Sequence, residues 1–277
     1  MEITQEQLMG FRAYLQEEER SAGTIDKYMR DVRLLKEWLA GKALSKEQLM
    51  LWRDSLLENH KPCTVNSMLA SAHAFLHFGG HPEWRVRSLR LQRRMFRPAD
   101  RELSRAEYER LVSKANAMGK DRLALLMETI CAAGIRVSEL RYITVESARL
   151  GRADISLKGK IRTILLPGKL CRKLLKYARR KGITTGEVFL TRVGTSLSRK
   201  QIWSEMKALC MKAGVEPSKV FPHNLRHLFA RMFYKSCKDV AQLADILGHS
   251  SVETTRIYLI STGEEHKKRL ERLRLIA

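Results

Sequence analysis

The 277 residues, 44% hydrophobic and 30% charged, suffice for two modest packed domains and exclude general disorder. Lys and Arg number 52 against 30 Asp and Glu, a net charge of +22; such an excess points to a polyanionic partner, with nucleic acid first, an anionic membrane second and a merely solvated basic surface as the bland alternative. The membrane reading weakens because no stretch approaches the roughly 20 apolar residues of a spanning helix and the polar start MEITQEQLMG lacks a signal peptide's apolar segment, so a cytoplasmic protein with no membrane partner is expected.

The first part of the chain carries helical signals throughout. Thr4 with Gln7 makes a capping box, followed by Leu8, Phe11 and Leu15 on one helical face. After Ser21 and Gly23, Ile25, Tyr28, Val32, Leu35 and Leu39 keep helical spacing. Ser45 with Gln48 opens a third helix carrying Leu49, Trp52 and Leu56. Pro62 and Thr64 precede a fourth, with Leu69, Ala72 and Leu76 inward and Gly79-Gly80 as its stop. The expected result is a compact helical bundle over residues 1–84. Residues 85–103 change character: Arg dominates, Pro98 interrupts, and a basic linker whose arginines face phosphate is expected.

Ser104 with Glu107 restarts ordered structure, and residues 104–277 form the second domain. Helices are predicted near 104–118 and 121–133, the latter closed by Gly134. Two short strands, 152–157 and 162–167, flank a tight Lys158-Gly159-Lys160 turn. A basic helix follows over 169–180, then the apolar run Val188 to Leu190. Further helices are predicted from Ser198 to Ala213 and near 223–236, 239–247 and 251–259, before a charged tail, EEHKKRLERLRL. The fold class is mainly α with a small β-hairpin, that is α+β.

Several chemistries find no signature: GxxxxGK[ST], GxGxxG, HExxH and GxSxG are all missing. His73, His77 and His81 are spaced i, i+4, i+8, but Gly79-Gly80 should break that helix and no nearby carboxylate or thiol completes a metal shell; solvated or phosphate-facing histidines are expected. Cys63, Cys131, Cys171, Cys210 and Cys237 are scattered and never form CxxC, so they read as reduced, mostly buried small hydrophobes. Neither a cofactor nor a metal is implied.

A more coherent set lies in the second half. Arg136 follows Gly134-Ile135 and begins the helix RVSEL. His223 and Arg226, spaced i, i+3 in PHNLRH, share one face at a helix N-terminus. His249 follows Gly248 in LGHSS, and Tyr258 lies nine positions later. Singly, each has an ordinary explanation: a helix cap, a satisfied histidine, a half-buried tyrosine. Together, AAGIRVSEL, HNLRH and LGHSSVETTRIYL occur in an order and spacing that resembles the tyrosine recombinase family, which includes lambda-integrase-like, phage integrase and Xer-like enzymes. The resemblance runs over residues 104–262, and residues 1–84 resemble the family's helical, SAM-like core-binding domain more loosely.

The resemblance implies a site-specific recombinase. Tyr258 matches its nucleophile, Arg136 and Arg226 its two phosphate-clamping arginines, His223 its first histidine and His249 its second. The hairpin lysine is matched by Lys158, directly before the Gly, with Lys160 as the fallback, because SLKGKIRTILLP departs from the family's G-K-G-x-K-x-R turn. The implied chemistry suits these groups. Attack on a phosphodiester builds charge on its non-bridging oxygens, which guanidiniums meet with fixed bidentate donors. A free phenol holds its proton up to a pH of about 10, so a tyrosine nucleophile needs nearby cations or a base, a task for His223. A lysine can protonate the leaving 5′-oxygen.

Implied partners are double-stranded DNA at two recombination sites, a homotetramer on synapsed DNA assembled from free monomers, and accessory DNA-bending proteins. The tail after Tyr258 resembles a segment that docks on a neighbouring subunit, or alternatively folds back on its own chain. Helices begin within a few residues of Met1, which leaves out the arm-binding domain of large phage integrases and favours a simple recombinase. Three rivals stay open: a non-catalytic DNA-binding relative, a type IB topoisomerase-like enzyme, and a basic regulator that binds DNA through a helix-turn-helix alone.

Overall fold

The computed structural model describes residues 1–91, 101–157, 160–249, 251–256, 258, 267, 271 and 272. The chain divides into two compact units, Met1–Arg93 and Arg94–Ala277.

The first unit holds helices α1 (Gln5–Glu17), α2 (Ala22–Leu39), α3 (Lys46–Asn59) and α4 (Pro62–Phe78). The capping box at Thr4 forms as spaced: the Gln7 amide donates to Thr4 Oγ1 at 3.1 Å and the Thr4 amide to Gln7 Oε1 at 3.2 Å, an arrangement worth about 1 kcal/mol. Leu8, Phe11, Leu15, Val32, Leu35, Leu49, Trp52, Leu69, Ala72 and Leu76 are buried in one core. Phe11 meets Phe75 edge-on at 5.2 Å, which ties α1 to α4. Inside this core Asp31 is buried. Its carboxylate accepts from Lys27 Nζ at 2.6 Å and Ser71 Oγ at 2.8 Å, so the charge is paired and α2 is pinned to α4.

Gly79 caps α4, so His81 leaves the helix and stacks on Trp84 at 4.0 Å. His77 sits on the surface against the Tyr14 hydroxyl at 3.3 Å. His73 is partly buried, and desolvation followed by the nearby Arg85 charge lowers its pKa. The expectation of solvated histidines holds for the exposed His77 and is corrected for His73, which the core partly buries, while Trp84 covers one face of His81. Among the described residues no group of three His, Cys, Asp or Glu is placed to hold a metal. Of the basic stretch, Val86 is buried in the first unit's core and Leu89 exchanges hydrogen bonds with the Asn66 side chain at 2.8 and 2.9 Å. Arg93, Arg94 and Arg97 lie outside the described residues.

The second unit is built round α6 (Asp121–Ala133), which buries eight residues around its whole girdle, from Leu123 to Ala133, the mark of a central helix. Around it pack α5 (Arg105–Ala117), α8 (Gly168–Arg180), α9 (Arg199–Cys210) and α10 (Pro222–Cys237). A short α7 (Val145–Leu150) leads into an antiparallel hairpin, β1 (Arg152–Leu157) and β2 (Lys160–Leu165), and α11 (Val240–Leu247) and α12 (Val252–Arg256) follow α10.

The second strand sits two residues earlier than its sequence pattern suggests. Leu157 pairs with Lys160, where the sequence pattern would start the second strand at 162. At the other end Leu166 still donates to Gly151 O at 2.9 Å, but Pro167 has no N–H to extend the ladder and becomes the N-cap of α8. RVSEL forms a 3-10 helix, Val137–Tyr142, and not an α-helix. The cysteine expectation is half right. Cys171 and Cys210 are buried and Cys131 partly so, whereas Cys63 and Cys237 lie exposed at opposite ends of their helices; all five are free thiols. No helix among the described residues is long and apolar enough to cross a membrane.

Candidate active site

Three helix ends bring four of the candidate residues together. Gly134 ends α6 in the left-handed region with φ +61°, and a Cβ there would lie 2.4 Å from the Phe229 ring. Only glycine allows the chain to turn so tightly against α10. Two residues later Arg136 leaves the turn as the N-cap of the 3-10 helix, its side chain about two-fifths exposed. Pro222 opens α10 at its first position, and Asn224 fixes that end by donating to Lys219 O at 2.7 Å and Arg101 O at 2.8 Å. His223 and Arg226 follow on one face. Gly248, with φ +63°, closes α11, and the His249 amide donates back to Ala244 O at 3.0 Å.

Arg226 is 1% exposed. Its Nη1 donates to Gly134 O at 2.6 Å and its Nη2 to Leu247 O at 2.7 Å, so one guanidinium staples the ends of α6 and α11. The same Nη2 contacts His249 Nε2 at 3.0 Å. Burial, then the Arg136 charge, pushes Arg226 down to about 10, while the Tyr258 phenol opposes the shift. His249 is pushed down to about 4, first by burial and then by Arg226, Arg136 and Arg162. It is neutral at pH 7. Tyr258 is 3% exposed. Its ring lies 4.3 Å from His227, 5.6 Å from His249 and 5.9 Å from His223.

Arg136, His223, Arg226, His249 and Tyr258 thus converge. Arg136, His223 and Arg226 line a cleft of about 200 Å³ together with Arg199. Lys158 and Gly159 lie outside the described residues, as does the Lys160 side chain. The tail after Tyr258 falls almost entirely outside them too. A larger groove of about 430 Å³ lies between Glu102, Glu107, Lys219 and Arg231, but its charges pair with one another, Arg231 with Glu102 and Lys219 with Glu107.

Two residues at the site's centre escaped the sequence reading. Glu139, 2% exposed, takes the Arg136 guanidinium at 2.9 Å, the Arg136 amide at 2.7 Å and Arg162 Nη2 at 2.8 Å, with Arg226 Nη1 at 3.9 Å. One buried carboxylate among three guanidiniums leaves a local excess of positive charge, suited to an anionic phosphate. Arg162 supplies the third of those guanidiniums from β2. The available signal for Glu139 was its position three residues after Arg136, the spacing of a cap partner.

The fold agrees with what comparison finds. The sequence profile described as the phage integrase family matches residues 101–265, and the profile for the phage integrase N-terminal SAM-like domain matches residues 8–80. The chain belongs to the phage integrase family of tyrosine recombinases. It is 30% identical over 277 aligned residues to the tyrosine recombinase XerA of Thermococcus kodakarensis, covering 96% of this chain and 94% of that protein. It is 26% identical to the tyrosine recombinase XerD of Vibrio cholerae, covering 88% of each. Among solved structures, a lambda integrase tetramer bound to a Holliday junction superposes with a TM-score of 0.73 at 15% identity, over 91% of this chain and 76% of that one. The XerH recombinase bound to its difH substrate superposes with a TM-score of 0.69 at 19% identity, over 91% and 79%.

Proposed function

We propose that the chain is a site-specific DNA recombinase in which Tyr258 attacks a phosphodiester, forming a 3′-phosphotyrosyl bond and expelling a 5′-hydroxyl. The phenol oxygen bonds to phosphorus as the P–O5′ bond breaks. The phenol proton passes to His223 and the leaving oxygen takes one from Lys158. Arg136 and Arg226 hold the non-bridging oxygens, and His249 adds a third donor. Attack by a 5′-hydroxyl of the exchanged strand reverses these steps and reseals the DNA, so the phosphodiester's energy is conserved and no ATP is needed.

The observation that carries this reading is the position of the Tyr258 ring, buried between the rings of His223 and His249 and beside the Arg226 guanidinium. The ring packs with Ala230, Leu243 and Leu247, as a structural tyrosine would; what favours catalysis over a binding module or a non-catalytic relative is its company, two arginines and two histidines of the ordered motif set. By extension, residues 1–84 bind the core DNA site, the basic linker 85–103 runs along phosphate, and residues 104–277 cut. Free monomers assemble as a tetramer on two synapsed sites in the cytoplasm at the nucleoid, with the tail making subunit contacts and DNA-bending proteins assisting.

A trapping assay tests the mechanism. Nicked suicide duplexes drawn from DNA flanking the gene are incubated with wild type and with Tyr258→Phe, and SDS-resistant adducts are scored. An adduct with wild type alone is expected. An adduct of equal yield with Tyr258→Phe would refute the nucleophile, and relaxation of a one-site plasmid by monomers without two-site products would favour a topoisomerase.

A further inference from the structure

Arg162 joins three parts of the site that the sequence keeps far apart. Its Nη2 donates to Glu139 Oε2 at 2.8 Å, the carboxylate that also holds Arg136. Its Nη1 donates to Ile246 O at 3.3 Å, at the C-terminal end of α11. Its stem crosses Gly248 so closely that a Cβ there would lie 2.4 Å from Cδ and 2.5 Å from Nη1. The side chain is 15% exposed, and it is packed beneath the turn and not presented to solvent. Arg226 grips the next carbonyl, Leu247 O, from the other side. Two guanidiniums from different elements therefore hold consecutive carbonyls at the negative end of α11, immediately before His249.

We propose that Arg162 is a positioning residue: by clamping the end of α11 to Glu139 it holds the Gly248-His249 turn in place and locks β2, Arg136 and His249 into one unit. The proposal rests on the recombinase reading of the site. Arginine suits the task and lysine does not, because its planar fork reaches two divergent acceptors at once and stays charged when partly buried. Arg162 also acts through charge. The charged and titratable groups facing His249 are Arg226, Arg136, Arg162 and His223, with the Thr255 hydroxyl on its far nitrogen and the Tyr258 ring stacked on it. Removing one cation should ease the penalty on imidazolium.

The test uses the full chain labelled with ¹⁵N-histidine, with His249→Gln to assign the resonance. In Arg162→Met, His249 should titrate at higher pH and show a mixture of tautomers. In Arg162→Lys, the charge is restored and the titration should return toward wild type, but the tautomer mixture should remain because one clamp contact is lost. Unchanged titration and tautomer in Arg162→Met would overturn the proposal. On a suicide duplex that wild type cleaves, Arg162→Met should form adduct about 10- to 100-fold more slowly, by analogy with the loss of residues that orient metal-ligating histidines, and Arg162→Lys should recover part of the rate. A 5′-bridging thiol should not restore Arg162→Met; full restoration would assign Arg162 to the leaving group and overturn its role at His249. If Arg162→Met fails to fold, Gly248→Ala displaces the same side chain and should reproduce the tautomer mixture, and a wild-type His249 signal there would count against the clamp. A wild type that forms no adduct on any duplex sinks the recombinase reading alone, since the histidine signals report the clamp without DNA.

Discussion

Arg226 Nη2 lies 3.0 Å from His249 Nε2, and because a guanidinium only donates, that nitrogen of the histidine must be the acceptor. The proton of the neutral ring is then on Nδ1, which faces Thr255 Oγ1 at 2.8 Å. In this state His249 has no Nε2–H to offer. A phosphate drawing the Arg226 N–H to itself would free Nε2, and its negative charge would favour a second proton there.

DNA binding should therefore be coupled to proton uptake. His249 starts from about 4, and an anion held by Arg136 and Arg226 raises that value. Between pH 5 and 7, calorimetry of duplex binding in buffers of different ionisation enthalpy should show net uptake in wild type and less in His249→Gln. Equal uptake in both proteins would place the proton elsewhere.

The same group shapes stability. At about one pH unit above 6.5 and beyond, His249 is neutral in folded and unfolded chains and contributes no pH dependence. As pH falls, the unfolded chain takes up a proton near its ordinary value while the folded one resists to about 4, so the folded state loses ground through that window and the loss saturates below it. Melting temperature should fall from pH 6.5 to 4 more steeply in wild type than in His249→Gln. A parallel fall in both would show that other groups carry the acid sensitivity.

Glu139 is the counter-charge on which the three guanidiniums depend. Glu139→Ala leaves Arg136 and Arg162 without their shared acceptor, and breaking a buried pair from one side destabilises by about 3–5 kcal/mol. Urea unfolding should show that loss, and Glu139→Gln, which keeps an acceptor oxygen, a smaller one. An unchanged midpoint for Glu139→Ala would mean that water replaces the carboxylate at no cost.

Arg226→Ala should separate binding from chemistry. Affinity for a duplex is spread over many phosphate contacts, whereas a donor aimed at the reacting phosphate is worth about 10²–10³ in rate. Filter binding should change little while adduct formation nearly vanishes; a selective loss of binding would contradict the role of Arg226 at the reacting phosphate.

What the sequence reveals here follows the range of the interaction. The caps at Thr4, Ser45, Ser104 and Ser198 involve residues three apart and all form. The apolar faces of α1, α2 and α4 repeat every three or four residues and are buried. Arg136, His223, Arg226, His249 and Tyr258 stand out as an ordered set because each lies in a local motif. Arg162 does not, and Glu139 is signalled only as a cap partner three residues after Arg136: the bond between the two spans 23 residues, and nothing local announces it. The start of β2 was missed because the apolar alternation runs on through Leu166, and only the register with β1 and the missing N–H of Pro167 end the ladder.

That register bears on the proposal that a hairpin lysine protonates the leaving group. Leu157 pairs with Lys160, the first residue of β2, two positions before Arg162. As a strand residue Lys160 is tied to the clamp that Arg162 makes, whereas Lys158, the better match of the sequence motif, lies outside the described residues. Lys158→Ala should slow adduct formation, and a 5′-thiol leaving group should restore it, since a thiolate leaves without a proton. Lys160→Ala should then be slowed no further than a surface substitution, with no thiol rescue. If the rescue belongs to Lys160→Ala alone, proton delivery comes from the strand, and the general acid and the Arg162 clamp share one rigid element.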